Sequence, residues 1–302
     1  MTNVNIITEK TGAVYRGRRW FQTQIARLFP AEFVSKLYYA VAMKRRLDIK
    51  HPRTFNEKMQ WYKLYYCPVQ PLVAQCADKY RVRQYVEAKG YPDILVPLIG
   101  VWDSPEEVNW EELPNKFAMK CTHGCGYNII CGDKSSLDLQ RVEQLLSRWI
   151  KEDFGLFNIE PHYSKMTPKI ICEEYIETLA APLPVDYKIY YFDGVAKAIL
   201  VCTERAGVGQ KVFYDTDWNV MDISRVHPDE TQARPRLIDQ ALKIGSDLAQ
   251  DFPFVRIDFY DCEGKIIFGE MTFTAGAGLS KVASEEGDAW LGECFNLPDT
   301  YK

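Results

Sequence analysis

The stretch Phe254–Gly278 constrains the chain most, because it reads as two strands, a tight turn and a glycine-rich exit. Val255, Ile257 and Phe259 alternate with Arg256, Asp258 and Tyr260, giving the first strand an apolar and a polar face. A turn at Asp261–Gly264 follows, and the apolar run Ile266-Ile267-Phe268 leads back to Glu270. Paired as a hairpin, these strands bring Asp258 and Glu270 near each other. Two carboxylates on a rigid hairpin with Arg256 beside them make a hard oxygen-ligand site for Mg²⁺, next to a cation that can hold a phosphate or carboxylate. The same residues also read as a buried hairpin with one structural Asp–Arg pair, since charged residues in strands often just face water.

The remaining chain is long enough, at 302 residues, for one large core or two to three packed subdomains. Hydrophobic residues at 47% and charged residues at 26% describe a soluble globular composition. No apolar run approaches the ~20 residues that cross a bilayer. Met1–Lys10 lacks the apolar core of a secretory signal, and nine cysteines without an export signal lead us to expect reduced thiols and a cytoplasmic protein. Net charge is −4, yet Lys10–Lys63 is strongly basic, with only Glu32, Asp48 and Glu57 opposing it. Within it, Trp20–Leu47 sets apolar residues at helical spacing, as one or two amphipathic helices broken by Pro30. Its basic face could meet anionic lipid at the inner face of a membrane, hold an anionic polysaccharide precursor, or simply be solvated. The overall acidity and the lack of a reader motif beside the basic patch speak against nucleic acid.

Thr54-Phe-Asn-Glu57 is a capping box that opens a helix to about Tyr66, and Cys67–Pro71 breaks it. A helix is expected from about Ala77 to Lys89, and a strand from Ile94 to Val101. Phe117–Cys121 and Asn128–Cys131 read as strands around the glycine loop Thr122–Tyr127, followed by a helix from about Leu137 to Glu152. Pro168–Tyr175 reads as a strand running into Glu173 and Glu174. Strands Asp186–Phe192 and Ala196–Thr203 are joined by Asp193-Gly194, a two-residue hairpin signal. A strand near Val212–Tyr214 and a helix from about Arg236 to Asp251 precede the opening hairpin.

Cys121-Thr-His-Gly-Cys125, with Cys131 beyond it, has poor spacing for zinc because a second ligand pair is absent. The glycines offer another chemistry: Gly124 and Gly126 let successive amides of the loop turn inward on phosphate oxygens, with Lys120 supplying positive charge.

In order, the chain presents Asp78-Lys79 with Arg83, Lys120 before a glycine loop, Cys172-Glu-Glu-Tyr-Ile176, Asp186-Tyr-Lys188, Arg256-Ile-Asp258 and Glu270-Met-Thr272. From Cys76 to about Leu279 this succession resembles the ATP-grasp ligases. Pro52–Met59, Ala77–Tyr80 and Phe268–Phe273 make it most similar to the ATP-grasp proteins of teichuronopeptide and capsular-polysaccharide biosynthesis. The resemblance implies a mixed α/β (α+β) ATP-grasp fold, two α+β subdomains clasping ATP behind a basic helical segment. The divisions would be 1–66 for that segment, 67–172 for the central lid subdomain and 173–302 for the C-terminal subdomain with the metal site.

Implied by the same resemblance, Lys120 and either Lys79 or Arg83 would contact ATP phosphates, under a lid formed by the amides of His123, Gly124, Cys125, Gly126 and Tyr127. Glu173, Glu174, Tyr175 and Ile176 would present backbone groups to the adenine, with Glu173 near its amino group and Asp186 or Glu177 toward the ribose. Asp258, Glu270 and Thr272 would bind Mg²⁺, Arg256 would steady the acyl phosphate, and Lys188 and Arg205 would lie on the substrate side. Where relatives place Asn, Thr272 would offer a hydroxyl or a water, and the bulk of Tyr127 could restrict the lid. The implied reaction joins a carboxylate, such as a uronic acid of a polysaccharide precursor, to an amine. A carbohydrate kinase and a non-catalytic nucleotide-binding subunit of a polysaccharide assembly complex are the alternatives.

Overall fold

The computed structural model describes residues 5–7, 13–177, 185–205, 208–224, 231–262 and 264–299. Two five-stranded sheets organise it. The first contains β1 (Ile6–Ile7), β2 (Leu98–Trp102), β3 (Phe117–Cys121), β4 (Asn128–Cys131) and β5 (Ile170–Glu174), in the order β1-β4-β3-β5-β2. The second contains β6 (Asp186–Phe192), β7 (Val195–Arg205), β8 (Val208–Tyr214), β9 (Phe254–Cys262) and β10 (Lys265–Thr272), in the order β10-β9-β6-β7-β8. Every pairing is antiparallel. The turn between β6 and β7 takes positive φ at Asp193 (47°) and Gly194 (78°), as a tight hairpin with Asp-Gly at its tip requires.

Helices α1 (Ala13–Leu28) and α2 (Ala31–Met43) are separated at Pro30, which lacks the amide a continuous helix would need. Thr54 caps α3 (Phe55–Trp61): its hydroxyl accepts from the Glu57 amide while the Glu57 carboxylate accepts from the Thr54 amide. One π-helical turn, Tyr62–Tyr66, carries the chain to Cys67. The single helix expected from Ala77 to Lys89 is instead α4 (Pro71–Ala77) and α5 (Val82–Ala88). Asp78 interrupts them, because its carboxylate accepts from the amides of Tyr80 and Arg81 and so competes with the helical ladder. The expected strand 94–101 starts later, at Leu98, after a 3₁₀ turn. Helices α6 (Leu139–Trp149), α7 (Ile238–Ala249) and α8 (Glu285–Cys294) complete the described elements. β5 runs continuously through residues 172 and 173.

Helix α3 ties the ends of the chain together. The Asn56 amide and side chain both donate to Asp288 of α8, each at 2.8 Å. The Gln60 side chain donates to the carbonyls of Ala277 and Gly278, and the fully buried Lys63 ammonium to those of Asn158 and Ala277. Gly276, Ala277 and Gly278 all have φ between 56° and 65°, and a Cβ on Gly278 would come within 2.6 Å of the Gln60 side chain. The glycine-rich exit of the β9–β10 hairpin is therefore a left-handed ribbon clamped by buried polar groups of the N-terminal half.

Candidate active site

Register decides what the second sheet presents. From Lys265↔Cys262 to Phe268↔Phe259 the hairpin pairs regularly, then the register shifts so that Glu270 pairs with Asp258 and Thr272 with Arg256. Directly opposed residues share a face, so an unshifted ladder would have placed Glu270 opposite Ile257, on the apolar side. The bulge at Gly269 moves it across. A side chain at Gly269 would bring its Cβ within 2.9 Å of the Asp258 carbonyl, which fits the glycine there. β6 pairs Lys188 with Asp258 and Tyr190 with Arg256, so Asp186, Lys188, Arg256, Asp258, Glu270 and Thr272 occupy one face. The opposite face sends Ile189, Val255, Ile257 and Phe259 into the core, with α7 packed on these strands.

The polar face is a network of alternating charge. Arg256 grips Asp258 through Nε at 2.6 Å and through Nη2 at 2.7 Å, and Nη2 also donates to Glu270 and to the Thr272 hydroxyl, both at 3.0 Å. Thr272 in turn donates to Glu270. Lys188 lies 2.5 Å from Asp258 and also bonds Asp186. Asp258 is 1% exposed, whereas the Glu270 side chain keeps 31% of its surface open. Burial pushes the Glu270 carboxyl up, but Lys79, Arg256 and Lys188 outweigh it and hold it down at about 2. Asp186 moves the other way, raised by burial and by the negative charge of Asp258.

The first sheet contributes a second cluster. Lys120 on β3 donates to Glu173 on β5 at 2.6 Å, and Arg83 of α5 reaches the other oxygen of Glu173 at 3.4 Å while donating to the Val96 carbonyl. Lys79 spans the two sheets: its ammonium donates to the Gly124 carbonyl at 2.6 Å and lies 3.8 Å from Glu270.

The glycine loop between β3 and β4 is anchored by its flanking rings. Tyr127 is buried, stacks on Trp149 and donates to Glu152 at 2.5 Å. His123 is buried too, with Nε2 3.1 Å from the carbonyls of Trp149 and Glu152, and burial lowers its pKa. Its ring thus turns to the end of α6, and only its backbone remains for the lid role. A Cβ on Gly124 would lie 2.6 Å from the Phe154 ring, so the loop approaches that ring as only glycine can. Gly126 takes φ 82°. Cys125 is exposed and lines the cavity described below.

Other expected residues stand apart. Glu174 is exposed, Glu177 pairs with Lys116, and Lys116 lies over the Tyr175 ring, with Ile176 half-buried between them in sequence. Arg205 ends β7, and its side chain is outside the described residues.

Between the hairpin and the glycine loop lies a cavity of about 460 Å³. Arg256, Glu270 and Thr272 form one wall, Cys125, Gly126 and Tyr127 another, and Asn158, Glu160 and Thr274 a third. Glu160 is 5% exposed and accepts from Thr274 at 2.5 Å. Sequence reasoning passed over it; the only local oddity is Ile159, a β-branched residue at φ 56°.

Among the described residues no group of three or more His, Cys, Asp or Glu side chains is placed to hold a metal. Asp258 and Glu270 nevertheless suit Mg²⁺, which commonly takes one or two carboxylates and completes its shell with phosphate and water oxygens. Lys79, Lys120, Lys188 and Arg256 supply the positive charge a polyphosphate needs.

D-alanine–D-alanine ligase from Bacillus anthracis, complexed with ATP, is similar in structure with 15% identity and a TM-score of 0.46, over 72% of this chain and 61% of that one. The ligase of that name from Helicobacter pylori gives 12% identity and a TM-score of 0.44, over 81% and 69%. The ATP-grasp ligase PsnB with its minimal precursor gives 14% and 0.39, over 72% and 59%. This chain spans about three fifths of the length of the first and last of these. No curated protein sequence matches it. The family described as TupA-like ATPgrasp matches residues 57–296, which include most of α3, the glycine loop and the whole hairpin, and the chain belongs to that family.

Proposed function

We propose that the protein is an ATP-dependent carboxylate–amine ligase that forms an amide through an acyl phosphate. The observation that carries this reading is the meeting of Arg256, Glu270 and Thr272 with the glycine loop at one cavity, with Asp258 bonded to Arg256 behind them and Lys79 joining the two sides. Bound ATP and Mg²⁺ would supply the phosphoryl group and neutralise its charge. Asp258 and Glu270 would hold the metal, with Thr272 beside them. Lys79, Lys120 and the amides of residues 123–127 would hold phosphates, and the backbone from Glu173 to Ile176 would face the base. Arg256 would orient the carboxylate, with Lys188 on the same side.

The carboxyl donor we assign is a uronic acid of a surface polysaccharide or its precursor, the amine an amino acid or small amine. The division into residues 1–66, 67–172 and 173–302 belongs to the same proposal. Peripheral attachment at an anionic surface fits the exposed Trp20, Phe21, Leu28, Phe33, Leu37 and Val41 beside Arg16, Arg27 and Lys44. None of the described helices is long and apolar enough to cross a membrane.

Incubation with ATP, Mg²⁺, a uronate panel and hydroxylamine tests the chemistry. Hydroxamate formation with stoichiometric ADP is expected, and ADP-free mixtures with every uronate would sink the reading.

A second reading, a nucleotide-binding subunit without turnover, draws on one feature: both oxygens of Asp258 are already held by Arg256 and Lys188. ATP binding that persists unchanged in Asp258→Asn, without ADP release by the wild type, would favour it.

A further inference from the structure

The cavity has a fourth wall that the family match does not include. Tyr15, Arg18, Arg19 and Gln22 of α1 line it, while the match begins at residue 57. Arg19 is fixed by a 2.9 Å bond from Nε to the Tyr15 hydroxyl and by stacking over Phe157, 3.8 Å from the ring centre. Arg18 is exposed. Among the described residues neither arginine pairs with a carboxylate within salt-bridge distance. Gln22 reaches Asn158, joining α1 to the wall that carries Glu160. The cavity therefore has cations on the α1 side and a buried carboxylate, Glu160, on the wall next to the hairpin. Its remaining lining is largely aromatic, from Tyr127, Trp149, Phe154 and Tyr163.

Resting on the ligase reading, we propose that this cavity is the acceptor subsite for an amino acid, with Glu160 binding and deprotonating its ammonium group and Arg18 and Arg19 holding its carboxylate. An ammonium at Glu160 lies on the side of Arg256 and Glu270, where the acyl phosphate would be formed. A carboxylate meets the planar donors of the arginines. Glu160 takes one proton from the ammonium, giving the free amine. The nitrogen then bonds to the acyl carbon as the carbon–oxygen bond to phosphate breaks, and the second proton leaves with hydrogen phosphate. Burial raises the Glu160 carboxyl, with Thr274 and Lys63 opposing that shift, which suits a proton acceptor for an amine.

The test compares each common amino acid with its decarboxylated amine, for example glycine with methylamine and alanine with ethylamine, using a uronate that gives hydroxamate. Hydroxylamine needs neither end of the subsite, so it reads donor activation alone. The amino acid is expected to react faster than its amine, and Arg18→Glu and Arg19→Lys should raise its KM about 10- to 100-fold, the worth of a charge-assisted bond. Glu160→Gln, nearly isosteric and still able to accept from Thr274, should lower kcat for the amino acid while hydroxamate formation persists. If no uronate gives hydroxamate, the ligase reading itself fails and takes this one with it. If hydroxamate forms but no amino acid outpaces its decarboxylated amine, or the arginine variants leave KM unchanged, this inference alone is overturned.

Discussion

Lys188 and Asp258 face each other in register across β6 and β9, their charged groups 2.5 Å apart, and Arg256 holds the same carboxylate from the other side. Asp258 is thus the negative centre between two cations, and it is itself almost closed to water. Removing its charge leaves Lys188 with Asp186 alone and Arg256 with Glu270 alone. Asp258→Asn should destabilise the fold by about 3–5 kcal/mol in urea unfolding, and adding Lys188→Met should recover part of that loss. A neutral effect of the single variant would show that water already screens the pair.

Gly269→Ala addresses the bulge. A Cβ there meets the Asp258 carbonyl at 2.9 Å, so the backbone must move. The expected cost is about 1–3 kcal/mol in stability, with ligase turnover falling further than stability does, because Glu270 owes its face to the bulge. Full turnover in a folded Gly269→Ala protein would contradict the role given to the bulge.

Thr272 donates to Glu270 and accepts from Arg256, so its hydroxyl is engaged on both sides. Thr272→Asn places an amide oxygen beside Glu270 and should lower the Mg²⁺ concentration needed for half-maximal turnover. An unchanged Mg²⁺ dependence would remove residue 272 from the metal set.

His162 is fully buried, with no hydrogen-bond partner for either ring nitrogen among the described residues. Burial, with a smaller contribution from Lys63, pulls its pKa from 6.5 down to about 3. Between these values the unfolded chain takes a proton that the folded one refuses, so stability falls as pH falls through that window. The slope should approach about 1.4 kcal/mol per pH unit at most. His162→Leu should flatten that part of the stability profile, and an unflattened profile would place the acid sensitivity elsewhere.

What could be read from the chain follows from how local each signal is. Alternation in Val255–Tyr260 and the turn at Asp261–Gly264 announce the hairpin, and Asp193-Gly194 announces the other. The capping box at Thr54 is equally local. The Gly269 bulge is not: a glycine in a strand marks no particular register, and simple alternation from Asp258 would have put Glu270 on the wrong face. Nor is the split of α4 from α5, where one carboxylate, Asp78, decides between helix and turn. Lys120 and Glu173 each read as a ligand contact, yet their mutual pairing depends on β3 and β5 becoming neighbours, a long-range event. Glu160 has no local signature because its setting comes from Thr274, more than a hundred residues away.

The clamp by α3 bears on how such a chain can be made. Asn56 and its partner Asp288 are 232 residues apart. During synthesis, the capped helix must wait, with Gln60 and Lys63 lacking their acceptors at Ala277, until the chain through Asp288 has emerged. Completion of the glycine-rich ribbon is then a late, loop-closing event of high contact order, and shortened nascent chains carry polar groups destined for burial with nothing yet to receive them.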